Sequence, residues 1–254
     1  MHDGTPYEIT YGSGSISGVV SKDNVKLGDV SATTFGFGEV DTVKGVAFYA
    51  SQMSGILGLA YDSISIDNLP TFIDVSPLAD KSFAFQFKNL PEQSYLTIPG
   101  YDEAAKVEDF VFHNVIEQKY WSLRFDSMQQ KGKPVIDMTG YKAVMDTGTS
   151  IIEGPKDLVD KLMEGIVVHR MCRDIELLPD ITITIGGIAY ILTYMDYVLQ
   201  VDAGDGVMEC ISGIAGQVFP PTFKYMIFGD SFMRKYYTYF DKNLNRVGIA
   251  LAAL

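Results

Sequence analysis

The stretch AVMDTGTSIIEGP at residues 143–155 contains the most informative pattern in this chain. The apolar residues before Asp146 predict a buried strand, and Gly148 predicts a tight turn at its end, so that the Asp146 carboxylate projects from the strand. The hydroxyl groups of Thr147 and Thr149 are then within reach of the carboxylate oxygens, an arrangement that orients a carboxylate and tunes its pKa. The alternative is an ordinary β-turn with polar side chains, although this longer pattern arises by chance far less often than Asp-Thr-Gly alone.

A second stretch, EITYGSGSISGVVSKDNVKLGD at residues 8–29, alternates in polarity and is rich in Gly and Ser. This pattern predicts a β-hairpin with Tyr11 beside its turn. A hairpin with a purely structural role usually carries Asn-Gly or Asp-Gly at its turn and needs no tyrosine there. The pattern therefore raises the question of what an exposed Tyr11 does.

Strand patterns dominate the rest of the chain, and one helix is predicted over 154–166, with Pro155 in its first turn. The Gly186-Gly187 pair predicts a second hairpin. The clearest predicted strands are KSFAFQF (81–87), YWSLRFDSM (120–128), DITITIGGIAYIL (180–192) and YYTYFDKNLNRVGIAL (236–251). The polar segment at 99–110 is the best position for a boundary between two lobes.

Composition and charge argue against nucleic acid and anionic lipid as partners. The 254 residues carry a formal net charge of −12 with 47% hydrophobic content, which indicates a globular protein. An acidic surface repels nucleic acid and anionic lipid, so neither is an expected partner. The acidic composition fits a protein that works at low pH, and it fits equally a role of the charge in solubility alone.

No apolar run approaches the length of a membrane span. Residues 1–10 lack the pattern of a signal peptide, which predicts either a cytosolic protein or an absent natural N-terminus.

The common cofactor and metal motifs do not occur in this sequence. No G-x-S-x-G is present, GSGSISG departs from the G-x-G-x-x-G spacing, and DKNLNRVG departs from a calcium loop at Arg246. The three histidines are far apart in sequence, and no Cys/His pair has metal-ligand spacing. We therefore expect no metal or cofactor. The two cysteines permit either one disulfide or two free thiols.

In order and spacing, these segments resemble the pepsin-like aspartic proteases, peptidase family A1, through nearly the whole chain. DTGTS (146–150) resembles the active-site loop of that family's second lobe, and ITYGSGSISG its flap hairpin. GILGLAY (55–61) and MIFGD (226–230) resemble the segments that cross beneath the two catalytic loops. YWSL (120–123) resembles the strand that opens the second lobe, and YYTYFDKNLNRVGIA its closing strand.

The resemblance implies an all-β, bilobal fold, with residues 1–100 as an incomplete first lobe and 105–254 as the second. It implies hydrolysis of extended peptides by an aspartate-activated water, without metal or cofactor, in a secreted or lysosomal/vacuolar lumen, by a monomer. The implied catalytic residue is Asp146, the implied substrate contacts are Tyr11, Gly12, Ser13, Trp121, Gly148 and Thr149, and the implied supports are Thr147, Ile56, Leu57 and Gly58. It also implies a disulfide between Cys172 and Cys210. In this reading Tyr11 belongs to a flap that covers the bound peptide and excludes water.

The main departure of the sequence from the family pattern is the number of Asp-Thr-Gly loops. The family uses two Asp-Thr-Gly loops, and this sequence has one, at 146–148. The flap and the crossing segment of the first lobe are present, so we expect an N-terminally truncated protease that is inactive as given. A non-catalytic peptide- or protein-binding pseudo-protease is the alternative, and self-association of two chains, each supplying Asp146, is a third reading.

Overall fold

A computed structural model of the chain describes residues 2–11, 14–45, 48–49, 53–89, 91–204 and 206–253. The chain divides into two compact units, Met1–Lys81 and Ser82–Leu254. Each unit is built mainly from antiparallel strands, consistent with the predicted all-β, pepsin-like fold.

The first unit is a three-stranded antiparallel sheet with a short helix. Its elements are β1 (His2–Tyr11), β2 (Gly14–Leu27), β3 (Val30–Lys44), 3₁₀ turns at Asp62–Ile64 and Ile66–Asn68, and helix α1 (Phe72–Val75). Helix α1 begins with a capping box in which the Thr71 N–H donates to Asp74 Oδ2 at 2.9 Å. The Phe35 and Phe72 rings meet edge to face at a centroid distance of 6.1 Å, which joins α1 to the sheet.

The second unit contains the remaining strands. These are β4 (Ser82–Gln86), β5 (Tyr95–Thr97), β6 (Val111–Asn114), β7 (Glu117–Gln118), β8 (Trp121–Gln130), β9 (Ile136–Asp137), β10 (Lys142–Met145), β11 (Ile152–Pro155), β12 (Ile181–Ile185), β13 (Ile188–Leu192), β14 (Val198–Asp202), β15 (Met208–Ser212), β16 (Ile214–Gln217), β17 (Tyr225–Phe228), β18 (Tyr236–Asp241) and β19 (Arg246–Leu251). Its helices are α2 (Lys156–Leu162), α3 (Tyr194–Tyr197) and α4 (Asp230–Met233), with 3₁₀ turns at Glu103–Ala105 and Ile175–Leu177.

A large sheet forms the centre of the second unit. Its strand order is β13-β12-β8-β10-β17-β11-β16, with β7 and β9 also paired to β8. The predicted strand at β12 buries one face, because its alternating Ile181, Ile183 and Ile185 are fully buried. The β12–β13 hairpin turns through Gly186 and Gly187, which both adopt positive φ, as the predicted two-residue turn requires.

A second sheet of the same unit has the order β5-β4-β18-β19-β6. Its buried face is aromatic, with the Phe83 and Phe240 rings stacked at a centroid distance of 4.9 Å. Strands β14 and β15 form a separate ribbon. The predicted disulfide is confirmed, since Cys172 and Cys210 are bonded with their Cα atoms 5.1 Å apart.

The predicted helix over 154–166 is shorter than expected and begins later. Residues 152–155 form β11, which pairs with β16 and β17, so the first two residues of the predicted helix, 154 and 155, lie in the sheet. Pro155 is the last residue of the strand and precedes α2. The helix ends at Leu162, and Gly165 then adopts a φ of +83°. None of the helices in the described part of the chain is long and apolar enough to span a membrane.

The division between the units falls earlier in the chain than the boundary expected at 99–110. Strands β4 and β5 precede that segment, and β4 pairs with β18 near the C-terminus. Backbone pairing with a distant strand therefore assigns residues 82–97 to the second unit. The expected lobes, 1–100 and 105–254, remain a prediction about family architecture.

Candidate active site

Strand β10 delivers Asp146 to the end of the large sheet. Ala143, Val144 and Met145 are buried between β8 and β17, as the apolar run predicted. Strand β17 runs parallel to β10, and the Asp146 N–H donates to the Phe228 carbonyl at 3.0 Å. The crossing segment predicted at MIFGD is therefore hydrogen-bonded directly to the start of the candidate catalytic turn.

The Asp146 carboxylate is held at both oxygens. The Gly148 N–H donates to Oδ1 at 2.9 Å, and the Thr149 hydroxyl donates to Oδ2 at 2.7 Å. The Thr149 N–H also donates to the Asp146 carbonyl at 3.3 Å, which closes the turn. Two donors on different oxygens fix the plane of the carboxylate. The hydroxyl partner that the structure gives Asp146 is Thr149, whereas sequence reasoning named both Thr147 and Thr149.

Three consecutive backbone amides hold residues 149–151 in place. The N–H groups of Gly229, Asp230 and Ser231 donate to the carbonyls of residues 151, 149 and 150 at distances of 3.1, 2.9 and 3.1 Å. We call this set of three bonds the amide clamp. A Cβ atom on Gly229 would lie 1.9 Å from the Thr149 carbonyl oxygen, so only glycine permits this approach. The clamp fixes the turn from the side of β17 and α4.

A second carboxyl group, Asp230, lies behind the turn. Burial raises the pKa of Asp230 to about 6, nearby Arg234 opposes the rise, and the charge of Asp146 adds to it. Its Oδ1 atom is buried and has no hydrogen-bond partner among the described residues. Sequence reasoning did not single out Asp230, because its environment comes from the packing of β17 and α4 against the catalytic turn.

The flap prediction concerns the first unit. Strands β1 and β2 form the expected hairpin, with Tyr11 opposite Gly14 at its tip, and Gly12 and Ser13 lie outside the described residues. The half-buried Tyr11 ring meets Phe48 edge to face at a centroid distance of 5.6 Å, and burial raises the pKa of Tyr11. That Tyr11 covers Asp146 remains a prediction.

Two other groups of predicted site residues lie in different surroundings from those expected. Trp121 is 4% exposed, and its ring contacts Phe83 and Phe240 in the aromatic core of the second unit. A side chain enclosed in this way has no surface to offer a substrate, so we leave Trp121 out of the proposed site. Ile56 and Leu57 are 56% and 40% exposed, and the segment they share with Gly58 forms no strand.

The described residues contain no group of three or more His, Cys, Asp or Glu side chains that could hold a metal ion. The candidate site therefore consists of a carboxylate at a strand end, a hydroxyl and an amide that orient it, and the amide clamp behind it.

The sequence profile of eukaryotic aspartyl proteases matches residues 1–252. The chain belongs to the eukaryotic aspartyl protease family.

Individual relatives agree with this membership. The chain is similar to cathepsin D of Chionodraco hamatus, with 37% identity over 99% of this chain and 67% of the relative. It is 36% identical to cathepsin D of Bos taurus, over 100% of this chain and 71% of the relative. Cathepsin E of Oryctolagus cuniculus is 33% identical, over 98% of this chain and 66% of the relative. This aspartyl protease chain therefore spans about two thirds of the length of these cathepsins.

Proposed function

We propose that this aspartyl protease chain supplies one half of an endopeptidase active site, with Asp146 as one of two carboxylates that activate a water molecule. The observation that carries the proposal is the Asp146 carboxylate itself, fixed at the end of β10 by the Gly148 amide and the Thr149 hydroxyl. A carboxylate oriented in this way can hold a water for attack on a peptide carbonyl and accept its proton.

The reaction needs a second carboxyl group. While one carboxylate accepts a proton from the water, a second, protonated carboxyl group must donate a proton to the substrate. A single carboxylate does not do both in the same step. The sequence contains one Asp-Thr-Gly, at Asp146. We expect the 254-residue chain by itself to be inactive, and we expect it to act as a protease when a second Asp-Thr-Gly loop is supplied.

The proposed substrate is an extended peptide with apolar side chains on both sides of the scissile bond. The edge of a hairpin can pair with an extended peptide through backbone hydrogen bonds, which is the role we assign to Tyr11, Gly12 and Ser13. Gly148 and Thr149 would contact the peptide from the other side. A pair of carboxyl groups that shares one proton works best in acid, so we place the reaction in a secreted or lysosomal/vacuolar lumen.

The alternative is a pseudo-protease that binds a peptide or protein without cleaving it. The single Asp-Thr-Gly of the sequence favours this reading for the chain as given. Both functions would use the same proposed peptide contacts, so only a measurement of turnover separates the protease from the pseudo-protease. Binding without turnover in every form of the protein would favour the pseudo-protease.

The test compares the 254-residue chain with a chimera that carries an Asp-Thr-Gly loop of the family's first-lobe type ahead of residue 1. Both proteins are assayed between about pH 3 and pH 6 on a mixture of peptides, and both are tested for binding to an apolar hexapeptide whose central bond is reduced. Each is also made with Asp146→Asn and, as a matched control, with Asp157→Asn, which changes an exposed carboxylate of α2.

We expect turnover in the chimera, its loss on Asp146→Asn, and no change on Asp157→Asn. Binding of the reduced peptide without turnover in the chimera would overturn the proposal in favour of the pseudo-protease. Turnover by the 254-residue chain that depends on Asp146 and increases with the square of protein concentration would instead support self-association of two chains.

A further inference from the structure

A buried histidine connects the two larger sheets of the second unit. His113 lies on β6, the edge strand of the five-stranded sheet, and is 7% exposed. Its Nε2 atom is 2.6 Å from the hydroxyl oxygen of Tyr190, which lies on β13, the edge strand of the large sheet, and is 4% exposed. This side-chain bond therefore connects two edge strands that do not pair through their backbones.

The surroundings of the pair are crowded and largely apolar. A Cβ atom on Gly186 would lie 2.7 Å from His113 Nδ1, so the imidazole is packed against the β12–β13 turn. The Tyr190 ring contacts Tyr236 and Phe232 edge to face at centroid distances of 5.1 and 5.7 Å. Burial in these surroundings raises the pKa of Tyr190 and lowers that of His113, because both groups are harder to charge away from water.

The charged groups near the pair are already engaged. Asp126 on β8 is the carboxylate whose charge favours protonation of His113. It pairs with Arg124 Nε at 2.7 Å and accepts the Gly187 N–H at 2.8 Å. The charge of Glu108, in the segment before β6, contributes to the raised pKa of Tyr190. A proton on His113 would thus place a positive charge where the carboxylate that acts on it, Asp126, is already bonded to a guanidinium and an amide.

Protonation also changes the hydrogen bonding of the pair. The neutral imidazole has one donor and one acceptor nitrogen, and the hydroxyl of Tyr190 can match either arrangement. An imidazolium donates from both nitrogens, so the Tyr190 oxygen must accept and its own hydrogen needs another acceptor. Exposure of the protonated ring to water would solvate its positive charge and would supply an acceptor for the Tyr190 hydrogen.

We propose that His113 and Tyr190 form a pH-sensitive latch, which holds β6 to β13 while the imidazole is neutral and releases them when it takes up a proton in acid. The latch is independent of the proposed protease activity, since it uses no residue of the candidate active site. Its consequence is a sheet junction that is tight near neutral pH and opens more often in an acidic compartment.

Proton linkage gives the direction in which pH changes the stability of the closed latch. In the unfolded or opened state His113 has the ordinary histidine pKa of about 6.5, and in the closed state its pKa is lower. The stabilisation from the neutral imidazole is complete above about pH 6.5 and is lost as the pH falls towards the closed-state pKa. Each pKa unit between the two states corresponds to about a tenfold change in the opening equilibrium.

The experiment measures amide hydrogen exchange of Val111–Asn114 and Ile188–Leu192 in the 254-residue chain at about pH 7 and about pH 5, with rates corrected for the intrinsic effect of pH. The test variant is His113→Gln, whose side chain can bond to a hydroxyl without titrating. The matched control is His169→Gln, which removes an exposed histidine. The three histidines also allow the His113 imidazole signal to be assigned by elimination with His2→Gln and His169→Gln, without any change at His113.

We expect both strands to lose protection together in acid in the wild-type and His169→Gln proteins, and to lose clearly less in His113→Gln. We also expect the His113 imidazole to titrate below about pH 6.5. A His113 titration at or above that value would overturn the proposal, even if His113→Gln failed to fold. An equal acid-induced loss of protection in wild type and His113→Gln would overturn it as well.

Discussion

At the scale of single residues, Asp146 and Asp230 show how position assigns different environments to two aspartates of one site. Asp146 receives an amide and a hydroxyl on its two oxygens. Asp230 has one buried oxygen without a partner among the described residues, and burial raises its pKa to about 6. The folded chain therefore favours the protonated form of Asp230 in acid.

We predict that Asp230→Asn flattens the pH dependence of stability above about pH 4. The raised pKa means that the contribution of protonated Asp230 is complete below the ordinary value of 3.8 and is lost as the pH rises through about 6. A neutral amide does not undergo this loss. By pH 7 the free energy of unfolding of the variant should therefore have risen by roughly 2 kcal/mol relative to that of wild type, after allowance for screening by solvent.

Urea unfolding at several values between about pH 4 and pH 7 measures this difference, and Asp157→Asn is the control for removal of an exposed carboxylate. A variant whose free energy of unfolding falls with pH as steeply as that of wild type would show that Asp230 is already charged in acid.

At the scale of elements, the amide clamp between the start of α4 and the catalytic turn depends on one glycine. We predict that Gly229→Ala destabilises the second unit by about 3 kcal/mol or more, because its Cβ would lie 1.9 Å from the Thr149 oxygen and 2.6 Å from the Ile151 oxygen. The φ of Gly229 is −98°, which any residue adopts, so the effect comes from space and not from backbone conformation.

The control for this prediction is Gly55→Ala, since no atom of the described residues beyond its chain neighbours lies within 4 Å of the added methyl group, and the φ of Gly55 is also permitted. Denaturant unfolding of both variants provides the comparison. Equal midpoints for the two variants would mean that the turn can move away from α4 without cost.

The disulfide belongs to the same scale, because it closes the segment that contains β12, β13 and β14. Cys172 and Cys210 are 38 residues apart, and a loop of this size should stabilise the fold by about 3–4 kcal/mol in the chain-entropy description. We predict that the double variant Cys172→Ala/Cys210→Ala loses this amount in urea unfolding. A reducing agent should destabilise wild type to the same extent and leave the double variant unchanged; a reductant effect on both proteins would point to another cause.

At the scale of the whole molecule, we expect net charge to control self-association of the chain. The net charge is −12 at neutral pH and the sequence pI is about 4.6. Several large apolar side chains are exposed, among them Val218 at 88% and Leu177 at 77%. We predict that light scattering of the purified chain peaks close to pH 4.6, where self-repulsion is smallest and the exposed apolar surface can associate. Constant scattering from about pH 3 to pH 7 would show that charge does not limit association.

The sequence by itself determined the features that depend on local pattern. Alternation placed Ile181, Ile183 and Ile185 on one buried face, and a glycine pair set the turn that follows them. The apolar run before Asp146 determined a buried strand that ends at a carboxylate. These features need only side-chain periodicity and the backbone freedom of glycine, which are properties of neighbouring residues.

Tertiary structure alone decided the features that depend on distant segments. Pairing with β16 placed residues 154 and 155 in a sheet, although the sequence pattern predicted a helix from residue 154 onward. Packing enclosed Trp121 between Phe83 and Phe240. The raised pKa of Asp230 and the bond between His113 and Tyr190 likewise arise from groups brought together by folding. Burial and electrostatic interaction depend on distance in space, and sequence separation does not specify that distance.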